Sequence, residues 1–67
     1  MKNSIKVERA KLNITQTELA EAIGVSKQTI HSIETGRFVP STVIALKMAR
    51  YFKTTIESIF ELEDTDQ

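Results

Sequence analysis

The 67-residue sequence predicts an all-α domain of five short helices, and three observations support this fold class. Apolar residues recur every three or four positions rather than every two, which is the spacing of one helix face. Ser or Thr residues stand before most of these segments, where a hydroxyl can accept from the unpaired amides of a first helical turn. Glycine or proline separates several of the segments, and both residue types interrupt helices.

The first helix is predicted from Ile5 to Leu12, after a short lead formed by residues 1–4. Asn3 or Ser4 can cap it, because both side chains accept hydrogen bonds from the amides of a first turn. A short connector then leads to the next segment, which carries the strongest signals in the chain.

The second helix is predicted over residues 16–23 by signals at both of its ends. Thr15 can accept from an amide of the first turn, and Glu18 stands three residues later, where it can bond back to the Thr15 amide. Gly24 can adopt the left-handed conformation that ends a helix without a Cβ penalty. The buried face is formed by Leu19, Ala20 and Ile23.

A third helix is predicted over residues 27–35, between Ser26 as its cap and Gly36 at its end. Two helices that cross steeply must approach closely, so the small Ala20 favours contact between this helix and the one before it. The caps, the turn and the small contact together predict a helix-turn-helix. The apolar positions that anchor the third helix in the core are Ile30 and Ile33.

A longer fourth helix is predicted after the loop at residues 37–40, from the cap Ser41 to about Phe52. Pro40 fits just before a helix start, and it disfavours helical geometry at the residue that precedes it. The buried stripe of this helix is formed by Ile44, Ala45, Met48, Ala49 and Phe52.

A short fifth helix is predicted from Ile56 to about Phe60, with Thr55 as its cap. Residues 61–67 are polar and acidic, so we expect them to form a flexible tail. The whole chain, residues 1–67, is interpreted as one domain, because a chain of this length can form only a single small core.

The net charge of the chain is zero, but the charges are distributed unevenly. All nine Lys and Arg residues lie within residues 1–53, together with four Glu, whereas residues 54–67 hold five acids and no base. A basic body that carries an acidic tail can still present a positive face to phosphates. The zero net charge therefore does not exclude a nucleic acid as partner.

Several function classes are disfavoured by residues that the chain lacks. It has no cysteine and one histidine, so we expect no disulfide, no metal site and no cofactor. An enzyme is disfavoured because catalytic carboxylates, a histidine pair and a phosphate-cradling glycine loop are missing. No apolar run approaches the ~20 residues of a membrane span, and the N-terminus lacks the apolar core of a signal peptide. These features favour a cytoplasmic protein.

Four short segments carry a resemblance to a known family: TQTELA at 15–20, IGVSKQTI at 23–30, IETGR at 33–37 and PS at 40–41. Together with Arg9 and the later ALKMA and IESIF, they resemble the Xre/Cro/CI-type helix-turn-helix family of phage-repressor-like regulators, over about residues 3–60. The resemblance implies a five-helix, λ-repressor-like fold with the helix-turn-helix at helices two and three, in a small stand-alone prokaryotic regulator. Glu8 and Thr42 depart from the family, which usually has Leu or Ile at both positions.

The third helix is the one whose N-terminal residues would meet base edges in the major groove. Gln28 offers a donor and an acceptor side by side, which match N6 and N7 of adenine. Lys27 can reach guanine or a phosphate, and Ser32 lies one turn after Gln28. The methyl group of Thr29 can contact a thymine methyl. Each of these four residues can alternatively be an ordinary solvated side chain.

The resemblance implies that Gln16, at the start of the second helix, contacts a phosphate and residues of the third helix. Its amide and the helix N-terminus together form a favourable position for an anion. Phosphate contacts position a protein on the duplex without reading its sequence. Further phosphate candidates, each of which can equally be a surface residue, are Thr35, Arg37 and Lys6.

The resemblance also implies that Arg9 and Glu34 form a structural pair between the first helix and the end of the third. A partly buried, bidentate pair of guanidinium and carboxylate would fix that end in place. The alternative is that both charges are solvated.

The last helix carries more apolar residues than it needs to pack against the rest of the domain. Those that stay exposed would form a dimer interface. The residues considered for it, which can alternatively belong to the core, are Ile56, Ile59, Phe60 and Leu62.

We interpret the chain as a sequence-specific, double-stranded DNA-binding transcriptional regulator, a homodimeric repressor on a palindromic operator. The alternative is an antitoxin-like or anti-repressor module that binds a protein through the C-terminal helix.

Overall fold

The computed structural model of the protein describes residues 1–66, and Gln67, the last residue of the expected tail, lies outside the described residues. The helices and strands follow in this order: β1 Lys2–Asn3, α1 Ile5–Leu12, α2 Gln16–Ile23, α3 Lys27–Glu34, α4 Thr42–Phe52, α5 Ile56–Ile59 and β2 Phe60–Glu61. A 3₁₀ turn at Asp64–Asp66 ends the described part. For this part of the chain the predicted five-helix fold is confirmed, and the two short strands add to it.

Polar side chains set the helix starts, as the sequence predicts. Before α2, Thr15 Oγ1 accepts from Glu18 N at 3.0 Å while Glu18 Oε1 accepts from Thr15 N at 3.0 Å, so the predicted capping box is present. At α1 the contact comes from Asn3, whose Oδ1 accepts from Ile5 N at 3.2 Å. The other helices begin after a hydroxyl that accepts from the amide three residues later, and these caps are Ser26, Ser41 and Thr55.

The core collects side chains from every helix. The completely buried ones are Ile5, Leu19, Ile30, Ile33, Met48 and Ile59. Ala20 is buried on α2, and Val25 N donates to Ala20 O at 3.0 Å across the turn. Gly24 forms that turn with a φ of 75°, in the left-handed region that favours glycine. The predicted helix-turn-helix is therefore present, with α2 and α3 packed against each other.

Two helices end one residue earlier than the sequence predicts. α3 ends at Glu34, because Thr35 takes the capping position and Gly36 turns the chain away from the helix. α5 ends at Ile59, because Phe60 is extended and enters β2. Each difference is confined to the last residue of the predicted helix.

The two ends of the chain pair as a small antiparallel sheet, a feature that the sequence pattern did not predict. Lys2 lies opposite Glu61, which places opposite charges across the two strands. Beside the sheet, Ser4 N donates to Ile59 O at 2.9 Å. Residue 61, the expected start of a flexible tail, therefore belongs to a strand.

The segment after β2 is bonded to the first residue of the chain. The α-ammonium group of Met1 lies 3.0 Å from Glu63 Oε1 and 3.3 Å from Asp66 Oδ2. Hydrogen bonding to Glu63 raises the pKa of this ammonium above its ordinary value of 8.0, and the backbone amide of Glu63 lowers the pKa of Asp66. We call these contacts of residues 1–4 with residues 58–66 the terminal clasp. The clasp therefore links the acidic segment to the start of the chain.

Candidate nucleic-acid interface

The helix α3 presents one face to the core and the other to solvent. Ile30 and Ile33 are completely buried and anchor the helix. The four residues predicted to contact bases lie on the remaining surface. Lys27 and Gln28 are exposed, and Thr29 and Ser32 are half-buried. The first turns of α3 therefore offer ammonium, amide and hydroxyl groups to an outside partner.

An open groove, which we call the α3 groove, lies beside this surface. Three of the residues around it are predicted base contacts and one is a predicted phosphate contact, so the fold brings the two kinds together. A fifth residue, Phe38, is about half exposed, and nothing in the sequence pattern assigned this loop residue to the site. The groove is lined by Gln28, Thr29, Ser32, Arg37 and Phe38.

Gly36 lets the chain fold back over the end of α3. Its φ is 79°, and a Cβ atom at this position would meet no atom within 4 Å, so the backbone conformation rather than space favours glycine. The amides of Arg37 and Phe38 then both donate to Ser32 O, at 2.9 and 3.1 Å. These two bonds hold Arg37 beside the α3 groove.

The hydroxyl groups of Thr35 and Thr29 are engaged within the helix. Thr35 Oγ1 donates to the carbonyl oxygens of His31 and Ser32, at 2.9 and 3.3 Å. A hydroxyl has one proton, so in this conformation Thr35 has none to give to a phosphate. Thr29 Oγ1 lies 2.9 Å from Oγ of the N-cap Ser26. The methyl group of Thr29 takes no part in this contact and remains available to a base.

Arg9 and Glu34 lie in direct contact, as the resemblance implies. Arg9 Nε donates to Glu34 Oε2 at 2.7 Å, and Arg9 Nη2 donates to Glu34 Oε1 at 3.1 Å. The two side chains are only 15% and 7% exposed. Hydrogen bonding to Glu34 raises the pKa of Arg9, so the guanidinium stays charged. The third nitrogen, Nη1, donates to Ile14 O at 3.0 Å.

Gln16 connects α2 to this pair. Its Nε2 lies 3.2 Å from Glu34 Oε1 and 3.3 Å from Nδ1 of His31, so the implied contact with the third helix is present. His31 is exposed on α3. Its proximity to Gln16 follows from the packing of α2 on α3, which a one-dimensional pattern does not contain.

Asn3, one of the two predicted caps of α1, also makes a contact that the sequence pattern did not reveal. Its Nδ2 donates to Ile33 O at 2.9 Å, while its Oδ1 accepts from Ile5 N at 3.2 Å. One side chain therefore caps the start of α1 and also satisfies a carbonyl at the end of α3. The only sequence signal was the general suitability of asparagine before a helix.

The remaining predicted residues lie away from the α3 groove. Lys6 is exposed on α1 and does not line the groove. Of the four residues considered for a dimer interface, Ile59 and Phe60 are buried in the monomer's own core, at 2% and 8% exposure. Ile56 is half-buried and Leu62 is 76% exposed. The surface part of that expected interface is therefore reduced to Leu62 and part of Ile56.

Two further properties concern the described part of the chain as a whole. Within residues 1–66, His, Cys, Asp and Glu side chains do not gather in a group of three that could hold a metal ion. Over the same residues, no helix has both the length and the apolar character that crossing a bilayer requires.

Known proteins are similar to this sequence over nearly its full length. A sequence model of the family described as Helix-turn-helix matches residues 5–59. An uncharacterized HTH-type transcriptional regulator of Methanocaldococcus jannaschii is 48% identical over 66 residues, which cover 98% of this chain and 100% of that protein. Another, from Bacillus subtilis, is 42% identical over 64 residues, or 96% of this chain and 97% of that protein.

A phage protein is similar over a shorter stretch. The ImmF control region 10 kDa protein of Bacillus phage phi105 is 40% identical over 45 residues, which cover 67% of this chain and 50% of that protein. The family match runs from the first residue of α1 to the last residue of α5, so it includes the whole helix-turn-helix. The chain therefore belongs to the helix-turn-helix family of Xre/Cro/CI-type transcriptional regulators, which bind DNA.

Proposed function

We propose that the chain is a sequence-specific repressor that binds double-stranded DNA as a homodimer, with α3 in the major groove. The observation that carries this proposal is the division of α3, in which Ile30 and Ile33 are buried while Lys27 and Gln28 project to solvent. A recognition helix meets base edges with its N-terminal residues. Gln28 can bond both N6 and N7 of adenine, and Lys27 can reach guanine or a phosphate.

Contacts to the DNA backbone would fix α3 in register. The capping box of α2 uses the amides of Thr15 and Glu18, so the amides of Gln16 and Thr17 remain for an outside acceptor. A helix N-terminus favours an anion at this position, and Arg37 supplies a guanidinium at the α3 groove. Further phosphate partners in this proposal are Lys6 and, once its hydroxyl turns away from α3, Thr35.

A homodimer would read a symmetric operator. Two α3 helices about 34 Å apart would occupy successive major grooves, with half-sites roughly 10 base pairs from centre to centre. Leu62 and Ile56 support this part of the proposal, because they leave apolar surface outside the monomer core. Identical half-sites related by a two-fold axis form a palindrome.

Repression would follow from the occupation of promoter DNA. The similarity to a control-region protein of a phage supports a role in switching gene expression. Such binding needs neither catalysis nor a cofactor, and we place it in the cytoplasm, where prokaryotic DNA lies.

A protein-interaction module acting through the C-terminal helix is the second candidate. The exposed Leu62 and the acidic end of the chain favour it. However, Glu63 and Asp66 are already engaged with the ammonium group of Met1. We therefore favour DNA binding, and co-purification of a stoichiometric partner through residues 56–66 would reverse this preference.

Selection of bound duplexes from a random pool tests the proposal, combined with the mass of the complex on the selected duplex. We expect an enriched palindromic sequence, two chains per duplex and an affinity that falls as salt rises. Lys27→Ala should reduce the enrichment of the palindromic sequence relative to the wild-type chain. Lys11→Ala should not, because it removes an exposed lysine that pairs with Glu8 outside the α3 groove. Failure to bind any duplex at low ionic strength would refute the proposal.

A further inference from the structure

The side-chain amide nitrogen of Gln16 lies within hydrogen-bond distance of two groups of the protein. An ionised carboxylate can only accept, so the nitrogen of the amide must face Glu34, 3.2 Å away. The same nitrogen lies 3.3 Å from Nδ1 of His31, and a ring nitrogen without a proton can accept the second hydrogen of the amide. A neutral imidazole with its proton on Nε2 offers such an acceptor.

This arrangement leaves Gln16 with only its amide oxygen for an outside partner. Gln16 is the first residue of α2, where the proposed function places a phosphate. A phosphate oxygen needs a donor, which the backbone amides of this turn supply and the engaged side chain does not. One of the two internal bonds must therefore be released before the side chain can contribute.

We propose that His31 controls this release, and that duplex binding by the chain is coupled to the uptake of one proton by the His31 ring. Imidazole changes its charge between about pH 5 and pH 8, and protonation turns Nδ1 from an acceptor into a donor. The charged ring cannot accept from Gln16, so one amide hydrogen becomes available to a phosphate. The ring also adds a positive charge beside that phosphate. This inference rests on the proposed DNA binding.

Among the anions near His31, a bound phosphate is the one that would stabilise the protonated ring. Glu34, on the same helix, shares Gln16 with His31, but Arg9 of α1 pairs with both of its carboxylate oxygens. Lys27 stands four residues earlier on α3 and opposes protonation. Thr35 bonds the backbone carbonyl of His31 rather than its ring. A phosphate at the start of α2 would therefore add an uncompensated negative charge next to the ring.

The test measures the dissociation constant for duplex DNA between about pH 5.5 and pH 8 at constant ionic strength. Coupling to one proton makes the affinity of the wild-type chain fall by up to about tenfold per pH unit as the pH rises. His31→Gln keeps an acceptor but does not ionise in this range, and His31→Lys stays positively charged throughout it. Both variants should bind with little dependence on pH, and His31→Lys should bind more tightly than His31→Gln.

Nuclear magnetic resonance of the chain without DNA adds a readout of positioning. The side-chain amide resonances of Gln16 should shift as the His31 ring titrates, and they should stay constant in His31→Gln. Equal pH dependence of binding in wild type and His31→Gln, or Gln16 resonances that ignore the titration, would overturn the inference while duplex binding itself persisted. No duplex binding at any pH would refute the proposed function and this inference together. His31 is exposed, so both variants should fold, which circular dichroism verifies.

Discussion

Arg9 holds Glu34 through both carboxylate oxygens, and the same guanidinium also bonds the carbonyl of Ile14. One side chain on α1 therefore fixes the end of the recognition helix and the connector that precedes α2. The pair is mostly shielded from water, so its hydrogen bonds are weakened little by competing solvent.

Arg9→Lys should lower the free energy of unfolding by about 2 kcal/mol, because an ammonium group cannot bond both oxygens of Glu34 and Ile14 O together. Urea denaturation followed by circular dichroism measures the change. Lys11→Met is the matched control, since it breaks only the exposed pair with Glu8; we expect a loss below about 0.5 kcal/mol there. Similar small losses in both variants would show that the Arg9 pair has no special role.

Gln28→Ala should weaken binding to the preferred duplex by about 1–3 kcal/mol and relax the preference at one base position. The reason is the loss of a side chain that can both donate to and accept from adenine at the exposed start of α3. Binding of a set of duplexes, each changed at one position, measures the effect. Unchanged affinity and unchanged base preference would show that another residue reads this base.

Arg37→Ala should weaken binding to all duplexes alike. The slope of log affinity against log salt concentration should fall in magnitude by about one, because one phosphate contact is lost. Arg37 lies at the α3 groove, where its backbone N–H donates a hydrogen bond to Ser32 O, and its guanidinium suits a phosphate. Titrations at several salt concentrations, on preferred and unrelated duplexes, measure the effect. A loss confined to the preferred duplex would assign Arg37 to base reading instead.

The terminal clasp should loosen at high pH in a chain that begins at Met1. The pKa of the Met1 ammonium is raised in the folded chain, so its contribution is complete below the unfolded value of 8.0. That contribution is lost as the pH rises through the folded value. The pKa of Asp66 is lowered, so its contribution is present above the ordinary value of 3.8 and is lost as the pH falls through the folded value.

Chemical shifts of Met1 and Glu63, followed against pH, measure the state of the clasp. Glu63→Gln should bring the pKa of the Met1 ammonium down toward 8.0, because its largest stabilising contact loses its charge. Asp64→Asn provides the control, since Asp64 is exposed and makes no bond to the ammonium. Identical titrations in the two variants would contradict the observed contacts.

Ile59→Ala and Leu62→Ala should separate core packing from association. Ile59 is 2% exposed, so its truncation should cost about 2–5 kcal/mol of stability through the cavity it leaves. Leu62 is 76% exposed, so its truncation should leave monomer stability nearly unchanged and weaken dimerisation. Denaturation and sedimentation equilibrium measure the two effects. Full dimerisation of Leu62→Ala would place the interface elsewhere.

Local chemistry was enough to predict the helices and the two faces of α3. Thr15, Ser26 and Ser41 cap helices because their hydroxyls act on the amides of the next turn, and such contacts depend on neighbours in sequence. Ile30 and Ile33 are buried because their spacing puts them on one side of a helix. These features need no knowledge of the tertiary fold.

The contacts that were not predicted join residues far apart in the chain. Asn3 reaches Ile33 across 30 positions, and the ends of the chain pair as strands that are only two residues long. So short a segment has no measurable periodicity, and its extended conformation depends on the partner strand. The burial of Phe60 follows from the same pairing, which explains why its role could not be separated from that of Leu62 by hydropathy alone.

The terminal clasp also bears on the order of folding. Ser4 and Ile59, which it joins, stand 55 positions apart, so their contact closes nearly the whole chain into a loop. Loop-closure entropy opposes such a contact until the intervening helices have shortened the gap. The helix-turn-helix, whose partners are close neighbours along the chain, can therefore assemble first. A mechanical pull on the two ends would act in the opposite order. It would separate β1 from β2 before it reached the recognition helix.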